Sequence, residues 1–168
     1  YNFIDLWSKQ NNTVTTVESG MELKAVALSE YTSENNTGSL KVTDNKFLFT
    51  GVGHTVRGTA TLLGYIDGVL FEQSTEPFEH VTPPADQEYD YIRNNTDSIT
   101  FINGFATLPD ASGGTSPVPA GPIGARISLS NDTLTLVTKF DFSFTQNQAG
   151  IPVVLDVKAE GIMRFKKK

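Results

Sequence analysis

Apolar and polar residues alternate with a period of two along much of this chain, most cleanly near its end. From Thr133 to Thr145, Leu134, Leu136, Thr138, Phe140, Phe142 and Phe144 share one side. Thr133, Thr135, Val137, Lys139, Asp141 and Ser143 share the other. Successive side chains of a strand point to opposite faces, so this is a strand with one apolar face. The run Val153, Leu155, Val157, Ala159, Met163 and Phe165 against Asp156, Lys158, Glu160, Arg164 and Lys166 repeats the pattern. The polar link 146–150 ends in Gly150. Together the two runs predict a long antiparallel hairpin, residues 133–145 on 151–165, with Phe142 buried.

The same reading places the earlier elements. Phe3–Trp7 is a short strand or helix, and Asn11-Asn12 a break. Thr13–Glu18 is β-branched and strand-like, Ser19-Gly20 a turn, and Met21, Leu23, Ala25, Ala27 and Ser29 line one face of a second strand. Ser33–Gly38 reads as an exposed loop. Asp44-Asn45, Asp67-Gly68, Asn103-Gly104 and Asn131-Asp132 are hairpin signals, because Asn, Asp and Gly tolerate the positive φ that two-residue turns require. The Asn103-Gly104 turn joins Ile99–Ile102 to Phe105–Leu108 on this reading. Between them, Val56, Gly58, Ala60, Leu62, Gly64 and Ile66 share a face whose small residues mark either a bend or volume left inside a barrel. Pro83-Pro84 ends any strand, Ala85–Ile92 begins a short helix, and Pro109–Gly124 is a long Pro- and Gly-rich loop, expected as a lid across an open barrel end.

Short turns between successive strands make a meander, so neighbours in sequence pair in space. The predicted fold is all-β, one domain over residues 1–168: an antiparallel up-and-down meander closing into a barrel, with a β-sandwich as the alternative. Thirteen residues in one strand span roughly 43 Å, long for a small sandwich and suited to a coiled, closing sheet.

Charge and chemistry narrow the function. The net charge is -6 and the only basic cluster is the tail Lys166-Lys167-Lys168, which argues against a nucleic-acid partner. There is no cysteine, so disulfides, thiolate metal sites and cysteine nucleophiles are excluded. No apolar run approaches the roughly 18 residues of a membrane-crossing helix. The start at Tyr1 reads as a mature or trimmed form, and the Thr-, Asn-, Ser- and Gly-rich composition as that of an exported protein: secreted, periplasmic or cell-surface. Glu76, Glu79 and His80, with Asp86 or Glu88 nearby, are candidate metal ligands that match no metal motif, and no metal or cofactor is expected. Asp156 and Glu160 stand about 13 Å apart at strand rise, too far for a glycosidase pair. The Asn-x-Thr sequons at Asn11, Asn35, Asn94 and Asn131 read as turn chemistry.

The meander, the segment Asn131–Leu136 and the ending Gly161–Lys166 resemble the lipocalin-like (calycin) β-barrels of secreted bacterial lipoproteins, mainly over residues 98–166. Lipocalins place Gly-x-Trp on the first strand and a basic residue of the last strand over the Trp. Here Asp5-Leu6 precede Trp7, so that motif is not matched, and Arg164 is the candidate basic partner. The resemblance implies an exported barrel, lipid-anchored in a full-length precursor, that holds a small apolar ligand without catalysis. Phe140, Phe142, Phe144, Leu136 and Trp7 are its candidate ligand-binding residues. Two alternatives stand beside it: a surface or structural protein acting through protein or glycan contacts, and an enzyme with a site near Glu76–Asp90. Nothing in the sequence fixes the oligomeric state.

Overall fold

The computed structural model describes residues 1–105, 121–148 and 150–168. Eight strands follow one another: β1 (Asn2–Glu18), β2 (Met21–Val42), β3 (Lys46–Ile66), β4 (Val69–Arg93), β5 (Ser98–Phe101), β6 (Ile123–Ser130), β7 (Thr133–Gln148) and β8 (Ile151–Lys166). Each pairs antiparallel with the next, and β1 closes the ring on β8. Among the described residues every strand belongs to this one closed ring, the barrel and not the sandwich of the two expected folds.

The turns follow the residues that allow them. Asp67 and Gly68 take φ of 47° and 77°, and Asn131 and Asp132 take 48° and 61°. Positive φ at both central residues gives a turn whose twist matches that of its strands. Ser19-Gly20 does the same between β1 and β2. Gly104 also holds positive φ; of the strand expected after it, residues 106–108 lie outside the described residues. β5 pairs with β4 on one edge and with β6 on the other, so Phe105 takes neither edge. Instead the turn folds Phe105 back over Phe101, their rings stacked 4.0 Å apart.

Several expected interruptions are absent. β1 runs unbroken through Asn11 and Asn12, so the Asn11 sequon is mid-strand, and Phe3–Trp7 is strand. Ser33–Gly38 is not a loop but a bulged stretch of β2, with Asn35 and Gly38 at positive φ and the pairing with β3 shifting on either side of Thr37. The bulge also disturbs pairing with β1, and side chains take over: Leu6 N–H donates to Ser33 Oγ at 2.7 Å, and Asn36 Nδ2 donates to Ile4 O at 2.7 Å. Backbone groups that lose ladder partners are thereby still satisfied. β4 likewise continues through Pro83-Pro84 and through 85–92, which is strand rather than helix. The prolines sit where the register with β3 shifts, between the pairs Val52–Ala85 and His54–Thr82. A missing N–H is tolerated at such an irregularity.

Strand length divides the ring into two halves. β4 has 25 residues and β5 only 4. β5 reaches β4 only at Tyr91–Arg93, and β6 reaches β7 only up to Thr138. In this half, near the termini, the ring is closed and filled. Phe47, Phe101 and Phe165 are fully buried, with Phe3, Phe49, Tyr91 and Phe105 around them. An eight-stranded barrel is just wide enough for side chains to fill, and these aromatics fill it. Beyond that level, no strand among the described residues lies between β4 and β7. The wall continues in the order β4-β3-β2-β1-β8-β7 as an open trough ending at the hairpin tips.

His54 lies where the two halves meet β3's irregular stretch. Its ring is edge-on to Phe3, and its Nε2 is 3.4 Å from Thr82 Oγ1. Burial, helped by nearby His80, lowers its pKa from 6.5 to about 4. The folded state therefore keeps it neutral where the unfolded chain would bind a proton. Stability should be full above pH 6.5 and fall as the pH drops toward 4, by about 2–3 kcal/mol after allowance for partial solvent access. Urea melts at pH 7 and pH 4 on the native protein and His54→Gln measure this. An acid-induced loss of the same size in both proteins would show that His54 is not its source.

Candidate functional site

The long terminal hairpin forms with the expected faces. Thr133 to Gln148 pairs with Ile151 to Lys166. On the outer face Lys139 meets Glu160 at 3.3 Å and Lys158 meets Asp141 at 3.3 Å, which accounts for the polar side of the alternation. Glu160 is thus ion-paired, and Asp156 lies on the same outer face. The inner face runs from the filled half into the trough. Leu136 and Phe140 are buried, Phe142 is half-buried and packed against the core, and Phe144 is 36% exposed with its ring stacked on Phe142. The expectation that Phe142 is buried is therefore corrected. It stands above the level at which β6 stops covering β7.

Trp7 is not with them. On β1 past the bulge after Phe3 the buried positions are Leu6, Ser8 and Gln10, so Trp7 takes the outer face, where its Nε1 donates to Glu30 at 3.2 Å. Arg164 does not cover it; its guanidinium makes two 2.7 Å hydrogen bonds to the Asp5 carboxylate, which hold its pKa up.

Pairing registers define what faces into the trough. Successive transverse rows read Phe144, Leu155, Val14, Ala25, Gly64, Glu72 and then Phe142, Val157, Asn12, Ala27, Leu62, Ser74. Over β1–β4 these rows enclose a groove of about 490 Å³, lined by Val14, Leu23, Ala25, Leu62, Gly64 and Phe71 among others. Its floor is low because the residues there are small. At Gly64 the register with β4 shifts, and the Phe71 ring rests where a β-carbon would be, 2.9 Å away. The irregularity reading of the small-residue row applies at this position, and the Phe71 ring occupies the space a side chain would take. At Gly58 the Phe78 ring fills the space instead.

The groove residues on β1 and β2 were not among the sequence-derived candidates. The usable signal was the row Met21, Leu23, Ala25, Ala27 beside Leu62 and Gly64, small side chains on adjoining strands. Of the proposed metal ligands, Glu79 pairs with Arg57 at 2.9 Å, which holds its carboxyl below the usual range. Strand alternation sends Glu76 and His80 to the other face. Among the described residues, no three His, Asp or Glu side chains gather to hold a metal ion. None of them forms a helix long and apolar enough to cross a membrane. Of the expected lid, 109–124, residues 109–120 lie outside the described residues; at its end Ile123 and Gly124 open β6.

No known protein family, curated protein or solved structure matches this chain. The eight-stranded antiparallel ring is compatible with a lipocalin-like barrel.

Proposed function

We propose that this chain is an exported, lipocalin-like, non-enzymatic binding protein that takes a small apolar ligand into the open half of its barrel. The groove over β1–β4 carries the reading. Ligand pockets of roughly 300–1,000 Å³ with mostly apolar walls are the usual size and character, and this one is about 490 Å³. Its walls leave Val14, Leu62 and Phe71 between 37% and 59% exposed. Apolar surface held open inside a concavity is unfavourable in water until something covers it. The filled aromatic half supplies a rigid base, and Phe142 and Phe144 form the opposite wall of the trough.

The test is a fluorescence titration with the neutral probe N-phenyl-1-naphthylamine. Native protein should bind it saturably. Ala25→Leu with Ala27→Leu, which fills the floor, should weaken binding at least about tenfold, since each buried methylene of the ligand that is displaced forfeits its transfer energy. Equal binding by the filled variant would remove the groove from the account.

A second reading, contact with another macromolecule through the hairpin tips, is favoured by Val17, Val69 and Leu70, which lie exposed there. Val69→Lys should abolish such contact and leave probe binding unchanged.

A further inference from the structure

We propose that the groove selects apolar ligands bearing a cationic head, an alkylamine or quaternary ammonium, over those bearing a carboxylate, sulfate or phosphate; this rests on the groove being the ligand site. Among the described residues, the pairing registers direct carboxylates but no Lys or Arg into the trough around the groove; farther along β4 the imidazole of His80, opposite Val56, is on the same face. Glu72 lines the groove opposite Gly64, Glu76 stands opposite Ala60 on the same face, and Glu18 closes the β1 end opposite Met21. Among the described residues none of these carboxylates has an ion-pair partner.

The cations lie elsewhere. Lys24 is among the residues lining the groove, but strand alternation places its side chain on the outer face beside Tyr65, its ammonium 5.8 Å from the centre of that ring. Lys9, Lys139 and Lys158 are paired with Glu30, Glu160 and Asp141 on the outside. Residues 106–120 include no Lys or Arg. An anionic head would thus enter a negative trough with nothing to neutralise it. A cationic head would meet Glu72 and, next to it, the exposed ring of Phe71. A carboxylate beside an aromatic ring is the combination that recognises ammonium groups, by charge and by cation–π attraction. Low-dielectric walls around a cleft of one sign strengthen the effect.

The experiment displaces N-phenyl-1-naphthylamine with decyltrimethylammonium, decyl sulfate or 1-decanol, each below its aggregation limit, in low-salt buffer. The expected order is decyltrimethylammonium tightest and decyl sulfate weakest, about five- to tenfold apart. High salt should shrink that gap, as should Glu72→Gln. Glu22→Gln, which alters net charge equally but on the outer face, should leave it unchanged. An equal effect of Glu22→Gln would assign the preference to overall charge and overturn the proposal. Binding of decanol with no preference between the charged probes would overturn the selectivity alone. Failure of both the neutral probe and decanol to bind would overturn the site and the selectivity together.

Discussion

Phe101→Ala should lower the unfolding free energy by about 3–5 kcal/mol. Phe101 has no solvent exposure, and its ring is stacked on Phe105, with Phe47 at 5.3 Å and Tyr89 at 6.0 Å. Truncation leaves a cavity that the surrounding rings, anchored on different strands, cannot collapse to fill. Urea midpoints at unchanged slope give the loss directly. Phe142→Ala, on a half-buried ring beside the trough, should cost roughly half as much or less, because part of its surface is already wet. Equal losses at the two positions would mean that the interior is not divided into a filled and an open half.

Gly38→Ala should destabilise by about 3 kcal/mol or more, from backbone strain and overpacking together. Gly38 sits at φ +92°, and a β-carbon there would lie 2.5 Å from the backbone of Gly51 and Val52. The two bulged strands press backbone to backbone at this corner, and Thr37 Oγ1 clips them by donating to Gly51 O at 3.1 Å. Gly51→Ala is the internal control. Gly51 also holds positive φ, at +59°, but a β-carbon there meets nothing within 4 Å. It should cost only the strain of a left-handed conformation, roughly 1–2 kcal/mol. Similar denaturation midpoints for the two variants would show that the close approach at Gly38 has no energetic weight.

The parts of this fold that were legible in the sequence are those where one physical demand dominates. β7 and β8 declared themselves because one face is dry and the other carries cross-strand ion pairs. Asp67-Gly68 and Asn131-Asp132 were legible because few residues accept the φ values a tight turn imposes. Ser33–Gly38 misled because a bulge and a loop call for the same polar residues and glycine. Only the long-range acceptors and donors, Ile4 O and Leu6 N, show that the stretch stays in the sheet. Pro83-Pro84 misled for a related reason, since the irregularity that accommodates the prolines is set by β3, some thirty residues away. The groove was harder still. Large aromatics on β7 drew the candidate site, whereas a cavity forms where side chains are small, at Ala25, Ala27 and Gly64. Which small residues become floor depends on register across β1–β4, which no single strand encodes.

The central claim is that the filled half is inert and the trough over β1–β4 is where an apolar molecule sits. Methyl-resolved NMR during titration with N-phenyl-1-naphthylamine tests it most directly. The account predicts saturable shifts at Val14, Leu23, Ala25, Ala27 and Leu62, with Leu40, Ile99 and Leu134 unmoved. Shifts at Leu40, Ile99 and Leu134 while the groove methyls stay still would contradict it.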